Sequence, residues 1–106
     1  MMLAQSTGDW KITLSPKSDW KADKPVPVEV LVKDAKGGPV ADADVQLVLT
    51  MVDMDHGETK VPAKQSKPGV YEAKAKFMMD GKWNIEVRAK KGSASSTMKQ
   101  QVNVAE

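Results

Sequence analysis

One short stretch of the sequence combines residue types that could bind a metal ion. Met51-Val52-Asp53-Met54-Asp55-His56 places two thioethers and the only imidazole of the chain within six residues. Thioether sulfur is a soft, neutral ligand that suits Cu(I), and imidazole binds copper in either oxidation state. In an extended backbone Met54 and His56 project to the same side, so both could bind one ion. The spacing predicts a copper site, with Cu(I) favoured over Cu(II).

Two more methionines, Met78 and Met79, end another predicted strand and extend the set of candidate ligands. Strand alternation puts Met78 and Met54 outward among charged residues, where an apolar side chain has no packing role. Met51 and Met79 share the inward phase of their strands, which favours packing in the core. The candidate metal ligands are therefore Met51, Met54, His56, Met78 and Met79. Whether Met78 and Met79 lie near His56 depends on the strand order, which the sequence leaves open.

The loop around His56 also has interpretations without copper. A single histidine in an Asp-rich loop is commonly a solvated turn residue. Asp53, Asp55 and Glu58 supply oxygen ligands that suit a hard cation, although the spacing of an EF-hand calcium loop is absent.

The composition excludes several classes of function. The 106 residues contain no Cys, so disulfides, thiolate zinc sites and cysteine nucleophiles are ruled out. No G-x-S-x-G nucleophile elbow accompanies His56, and we predict that the chain is not an enzyme. A net charge of only +2, with one Phe and one Tyr for base stacking, argues against nucleic acid as a partner. No apolar run approaches the ~20 residues of a membrane-spanning helix, so we expect no membrane insertion.

Strict alternation of apolar and polar residues dominates the chain and predicts strands. The dipeptide Asp80-Gly81 predicts a tight hairpin that joins the predicted strands 70–79 and 82–90. About six or seven short strands without helical periodicity predict an all-β fold, an antiparallel immunoglobulin-like β-sandwich. The predicted strands are 10–14, 26–32, 43–52, a short one at 60–63, 70–79, 82–90 and 95–104.

The tryptophans and the termini complete this picture. Trp10, Trp83 and Met98 are in phase with core positions, whereas Trp20 lies in a polar loop and is expected to cover one end of the sandwich. Residues 10–106 are predicted to form one domain, and residues 1–9 a flexible N-terminus that follows a removed signal or was added. Because Ala4-Gln5-Ser6 is similar to the tail of a signal cleavage site, we expect a periplasmic or otherwise extracytoplasmic protein.

Several segments together resemble a known family. They are Val32–Val45 with its D-A-K-G-G-P-V turn, Met51–Gly57, Pro68–Ala73 and Met79–Ile85. Over about Ile12 to Val104 the chain resembles the YtkA-like and FixH-like family of exported domains. The resemblance implies an immunoglobulin-like sandwich outside the cytoplasmic membrane, associated with copper handling or with maturation of copper-containing respiratory oxidases. Relatives often carry Met, and sometimes His, in the loop after the third strand, which here matches Met51, Met54 and His56.

Two functions are predicted from these observations. The first is an extracytoplasmic copper-binding domain, a Cu(I) carrier or chaperone that passes its ion to a copper-receiving envelope protein or an oxidase assembly factor. The second is a structural or interaction module of an envelope assembly, in which the methionines serve for packing. The oligomeric state does not follow from the sequence.

Overall fold

The computed structural model describes residues 5–8, 10–52 and 58–106, with the backbone alone for 5–8. Eight β-strands make up this part of the chain, and it contains no helix. The strands are β1 Gln5–Gly8, β2 Lys11–Pro16, β3 Val26–Lys33, β4 Asp44–Met51, β5 Thr59–Lys67, β6 Val70–Ala75, β7 Gly81–Lys91 and β8 Ala94–Val104.

The strands pair antiparallel in the order β1-β8-β7-β4-β5-β6-β3-β2 and form two sheets that share β5. The first half of β5 pairs with β4, where Val61 lies opposite Leu47. The second half pairs with β6, where Lys64 lies opposite Glu72. The predicted all-β, immunoglobulin-like sandwich is confirmed. The structure adds strand β1, which pairs with β8.

The core lies between the two sheets and follows the predicted alternation. In β3 the valines at positions 26, 28, 30 and 32 are buried, and the residues between them are not. Because side chains of a strand alternate between its faces, β2, β3, β4, β6, β7 and β8 each bury one set of apolar residues against the other sheet. Trp83 and Met98 are buried as predicted, and Trp10 packs against the core while partly exposed.

Two predicted features differ from the structure. Strand β5 runs over nine residues rather than four, although almost all of its side chains are exposed, because its backbone pairs with β4 and then β6. The prediction of a hairpin at Asp80-Gly81 is wrong, because β6 and β7 do not pair with each other. Strand β6 pairs with β3 and β5, whereas β7 pairs with β4 and β8. Of this dipeptide only Gly81 has a positive φ, 132°. The segment between β6 and β7 crosses from one sheet to the other.

Candidate metal centre

Met51 ends β4 at the point where β7 begins. In the register of these strands Met51 lies directly opposite Trp83, and the Val52 backbone N–H donates to the Lys82 carbonyl at 3.0 Å. The β4–β7 pairing therefore extends through Val52, which connects directly to the segment that carries Met54 and His56. This ladder positions the first residue of the M-x-x-M-x-H stretch against the start of β7.

The Met51 side chain is half-buried and lies beside Gly81, the first residue of β7. It packs against the hydrophobic core, and a side chain added at Gly81 would place its Cβ 3.2 Å from the Met51 Cε. The packing role predicted for Met51 is thus confirmed, and its thioether lies where the segment that crosses between the sheets joins β7.

Met78 and Met79 lie in that crossing segment and are both exposed. The described residues contain three exposed large hydrophobic side chains, Val52 at 42%, Met78 at 58% and Met79 at 39%. The outward position predicted for Met78 is confirmed. The core position predicted for Met79 is wrong, because β6 ends at Ala75 and the backbone leaves the sheet before residue 79.

Three packed aromatic rings, those of Trp20, Phe77 and Trp83, lie at this crossing segment. Trp83 is buried, and its indole Nε1–H donates to the Met79 carbonyl at 3.0 Å, which satisfies a donor that would otherwise be costly to bury. Phe77 packs edge-on against Trp83 with ring centroids 5.2 Å apart, and Trp20 packs edge-on against Phe77 at 5.8 Å. The covering role predicted for Trp20 is confirmed. These contacts hold the Met79 backbone at one end of the sandwich.

The strand order resolves where the methionines of the two segments lie relative to each other. Val70 pairs with Lys67, so the beginning of β6 lies at the far end of β5 from Thr59. The end of β6 and the methionines that follow it lie at the end of the sandwich where β4 ends and β5 begins. Of the sequence-predicted ligands, Met51 lies beside Gly81 there, where the segment that carries Met78 and Met79 joins β7.

Met54 and His56 lie outside the described residues, in the segment 53–57 that connects Val52 with Glu58. Their roles stay predictions. Within residues 10–52 and 58–106 no three side chains of the His, Cys, Asp and Glu types come together as a possible metal site. A ligand set drawn from the described residues would therefore rely on thioether sulfur.

Glu58, the first described residue after the segment 53–57, belongs to a network of charged side chains. A carboxylate oxygen of Glu58 lies 4.0 Å from the Arg88 guanidinium, which also binds Glu86 on its own strand. The hydrogen bond that Arg88 donates to the Glu86 carboxylate is the main cause that raises the pKa of Arg88, and the attraction of the Glu86 charge is the second. Glu58 thus has a cationic neighbour, which weakens the interpretation of this loop as a hard-cation site.

Sequence reasoning missed two residues at this end. Val52 is the last residue of the predicted strand 43–52, and it is a third exposed large apolar side chain at this end, besides Met78 and Met79. Gly81 was read as a turn residue, and it is also the position that leaves space for the Met51 thioether. The alternation at 51 and 52 signalled the exposure of Val52, whereas no local pattern signalled the contact at Gly81.

Comparison with known proteins addresses the family of the chain. No curated protein matches the sequence closely enough to serve as a named relative. The described residues contain no helix long and apolar enough to cross a membrane. A family model described as YtkA-like matches residues 4–88, which is most of the chain and includes both methionine segments. The chain belongs to the YtkA-like family.

Proposed function

We propose that this protein is a non-enzymatic copper-binding domain that works outside the cytoplasm and takes up Cu(I) through methionine and histidine ligands. The ligands are drawn from Met51, Met54, His56, Met78 and Met79. The ion is cargo, passed on to a copper-receiving protein of the cell envelope.

The observation that carries this proposal is the exposure of Met78 and Met79 beside the end of β4. Apolar side chains in solvent have no packing role, and methionine here adds a soft ligand that leucine or valine would lack. The M-x-x-M-x-H stretch, which begins at Met51 of the same strand end, supplies the remaining candidate ligands.

The ligand type favours transfer over storage. Thioethers are neutral and bind Cu(I) without losing a proton, so uptake and release need no change in protonation at sulfur. Ligands that are exposed before binding also leave a receiving protein direct access to the ion. A carrier needs both properties.

The test is a Cu(I) titration against a competing chelator, with two variants that each remove one sulfur and keep an apolar side chain. Met78→Leu is expected to weaken Cu(I) binding by about tenfold or more, equivalent to ~1.4 kcal/mol. Met98→Leu is the matched control, because Met98 is fully buried in the core and cannot reach solvent copper. Its Cu(I) affinity is expected to equal that of the wild type.

Substitution of the remaining candidates completes this experiment. Met54→Ala and His56→Ala are each expected to weaken Cu(I) binding, whereas Cu(II) affinity stays low because a single imidazole supplies too few nitrogen ligands. Equal Cu(I) affinity in the wild type, Met54→Ala, His56→Ala and Met78→Leu would contradict the proposal.

The three exposed apolar side chains at this end, Val52, Met78 and Met79, also favour a second candidate function, an interaction module that docks through this end. The two candidates differ in one thermal measurement. A ligand that binds only the folded protein raises its Tm, so the copper carrier gains stability on Cu(I) addition and the interaction module does not.

A further inference from the structure

The outer face of the sheet β2-β3-β6-β5 carries an excess of lysines. Burial alternates along β2, β3 and β6, so the exposed residues of these strands share this face, and Lys64 of β5 lies opposite Glu72. We name it the lysine face. Its charged residues include Lys11, Lys33, Lys64 and Lys74, with Glu29 and Glu72 as the acidic members, and Lys17 and Lys76 directly follow β2 and β6.

The centre of the lysine face is neutralised within the molecule. Glu29 and Glu72 lie directly opposite each other in the β3–β6 register, an arrangement of like charges that destabilises a sheet. Lys17 lies between them, with its Nζ 3.6 Å from the Glu29 carboxylate and 3.2 Å from that of Glu72. The hydrogen bond to Glu72 is the main reason that the pKa of Lys17 is raised, and it stays charged. One lysine therefore serves both carboxylates.

The remaining lysines have no such compensation. Lys11 and Lys33 lie directly opposite each other in the β2–β3 register. In the described part of the chain neither lies within 4.0 Å of a carboxylate, and the same holds for Lys64, Lys74 and Lys76. A pair of opposed, uncompensated lysines opposes folding, so packing and stability do not explain its presence.

A shallow groove crosses the lysine face between Lys64 and Lys74. It is also lined by Pro27, Pro62 and Ala73, and by the paired side chains of Lys17 and Glu72. The groove lies where β5 stops pairing with β6 and turns to β4. An anionic group seated there lies near the Lys64 and Lys74 side chains, and the carboxylate of Glu72 in the lining is compensated by Lys17.

The outer face of the other sheet differs in its charge arrangement. There Arg88 binds Glu86 and lies near Glu58, and the Lys99 Nζ is 4.0 Å from Glu86. Its central cations are thus compensated on the same face. Lys82 and Lys90 on that face also have no carboxylate within 4.0 Å among the described residues, but they lie at opposite ends of β7, whereas Lys11 and Lys33 lie directly opposite each other on the lysine face.

We propose that the lysine face docks on the surface of an anionic lipid bilayer. Its charges are spread over four neighbouring strands, a width of about 14 Å at ordinary strand spacing. They are ammonium groups on flexible stems rather than arginine forks, which suits a diffuse layer of headgroup phosphates better than one directed carboxylate. The binding is electrostatic and peripheral, because no large apolar side chain within strands β2, β3, β5 and β6 is exposed.

The test is co-sedimentation with lipid vesicles. The wild type is expected to bind vesicles of phosphatidylglycerol and not vesicles of phosphatidylcholine, and high salt is expected to release it. Each lysine near an anionic bilayer contributes about fivefold in affinity, ~1 kcal/mol. The double variant Lys11→Gln/Lys33→Gln is therefore expected to bind about 25-fold more weakly. Lys74→Gln/Lys76→Gln tests the other half of the face and is expected to behave alike.

A matched control removes the same charge elsewhere. Lys82→Gln/Lys90→Gln changes two exposed lysines on the outer face of the other sheet and is expected to keep wild-type vesicle binding. Thermal unfolding separates function from structure, since removing the opposed pair Lys11 and Lys33 is expected to leave the Tm unchanged or raise it.

Three results would overturn the proposal. One is that the wild type fails to bind phosphatidylglycerol vesicles at low salt. Another is that the control variant loses as much affinity as the variants of the lysine face, which reduces the effect to net charge. The third is that a polyglutamate peptide displaces the protein from vesicles at concentrations where inorganic phosphate does not, which assigns the face to an acidic protein partner.

Discussion

The same thioether side chain is buried in the core at Met98, packed against the core at Met51 and exposed to solvent at Met78 and Met79. A buried methionine fills an irregular gap, whereas an exposed one is accessible to ions and oxidants. Exposure therefore sorts the methionines into structural and chemically available ones. The available ones lie at one end of the sandwich.

This sorting predicts the order in which the methionines are oxidised. Under dilute hydrogen peroxide Met78 and Met79 are expected to form sulfoxides first, Met51 later and Met98 last, because Met98 reacts only when the fold opens. Peptide mapping by mass spectrometry over a time course measures the order. Protein unfolded in denaturant is the control, in which all four are expected to react at similar rates. Oxidation of Met98 as fast as Met78 in the folded protein would contradict the burial.

At the scale of elements, the turn after β3 and the beginning of β6 form one hydrogen-bonded unit. The Asp34 carboxylate accepts from the Lys36 and Gly38 backbone N–H groups, both at 2.9 Å. The Tyr71 hydroxyl donates to the Val40 carbonyl at 2.7 Å and accepts from the Ala43 N–H at 2.9 Å. This arrangement is similar to the tyrosine corner of immunoglobulin-like folds. The D-A-K-G-G-P-V and P-G-V-Y segments thus have structural roles.

Gly69 is required in this unit for two separate reasons. Its φ is +80°, and a Cβ at this position would lie 2.6 Å from the Pro39 Cβ. Gly69→Ala is expected to lower the free energy of unfolding by about 1 to 2 kcal/mol, because alanine disfavours this backbone conformation. The overlap with Pro39 is expected to add about 1 to 3 kcal/mol. Denaturant unfolding of the variant measures the sum.

Gly92 provides the matched control for this prediction. Its φ is +61°, and a Cβ there would meet nothing within 4 Å. Gly92→Ala is expected to cost only the conformational part, about 1 to 2 kcal/mol. Equal losses of unfolding free energy in both variants would mean that the overlap with Pro39 does not contribute to the loss.

At the scale of the whole molecule, the strand order places β1 at one edge and β2 at the other, although they are consecutive in the chain. A hydrogen bond joins the residue before β2 to β8, the neighbour of β1, because the Trp10 backbone N–H donates to the Ser96 Oγ at 2.7 Å. Ser96 belongs to β8 and is the one buried polar residue among those described. The bond links the start of β2 to the opposite sheet.

This link predicts a loss of global stability when the hydroxyl is removed. Ser96→Ala leaves the Trp10 N–H without its acceptor and is expected to cost about 1 to 3 kcal/mol. For a domain of this size the Tm falls by about 4 to 8 °C per kcal/mol. Ser95→Ala, one residue earlier and exposed, is the control and is expected to unfold like the wild type. A Tm of Ser96→Ala equal to that of the control would contradict the role of this bond.

Much of the fold was predictable because strand formation depends on a local pattern. The alternation in β3, β4, β7 and β8 predicted their positions to within a few residues and identified their buried faces. β5 was underestimated because its side chains are mostly exposed and its stability comes from backbone pairing on two sides. For the candidate site, the exposure of Met78 was predictable, but that of Met79 depended on where β6 ends.

The sequence by itself determined the period-two pattern, the residues of the core and the residue types available to a soft metal, since these follow from chemistry within a few positions. Only the tertiary structure decided that β6 and β7 lie in different sheets, that Met51 lies beside Gly81, and that Lys11 lies opposite Lys33. These depend on which strands pair and in which register. Pairing minimises the free energy of the whole chain through contacts between distant residues, and no local pattern records that choice.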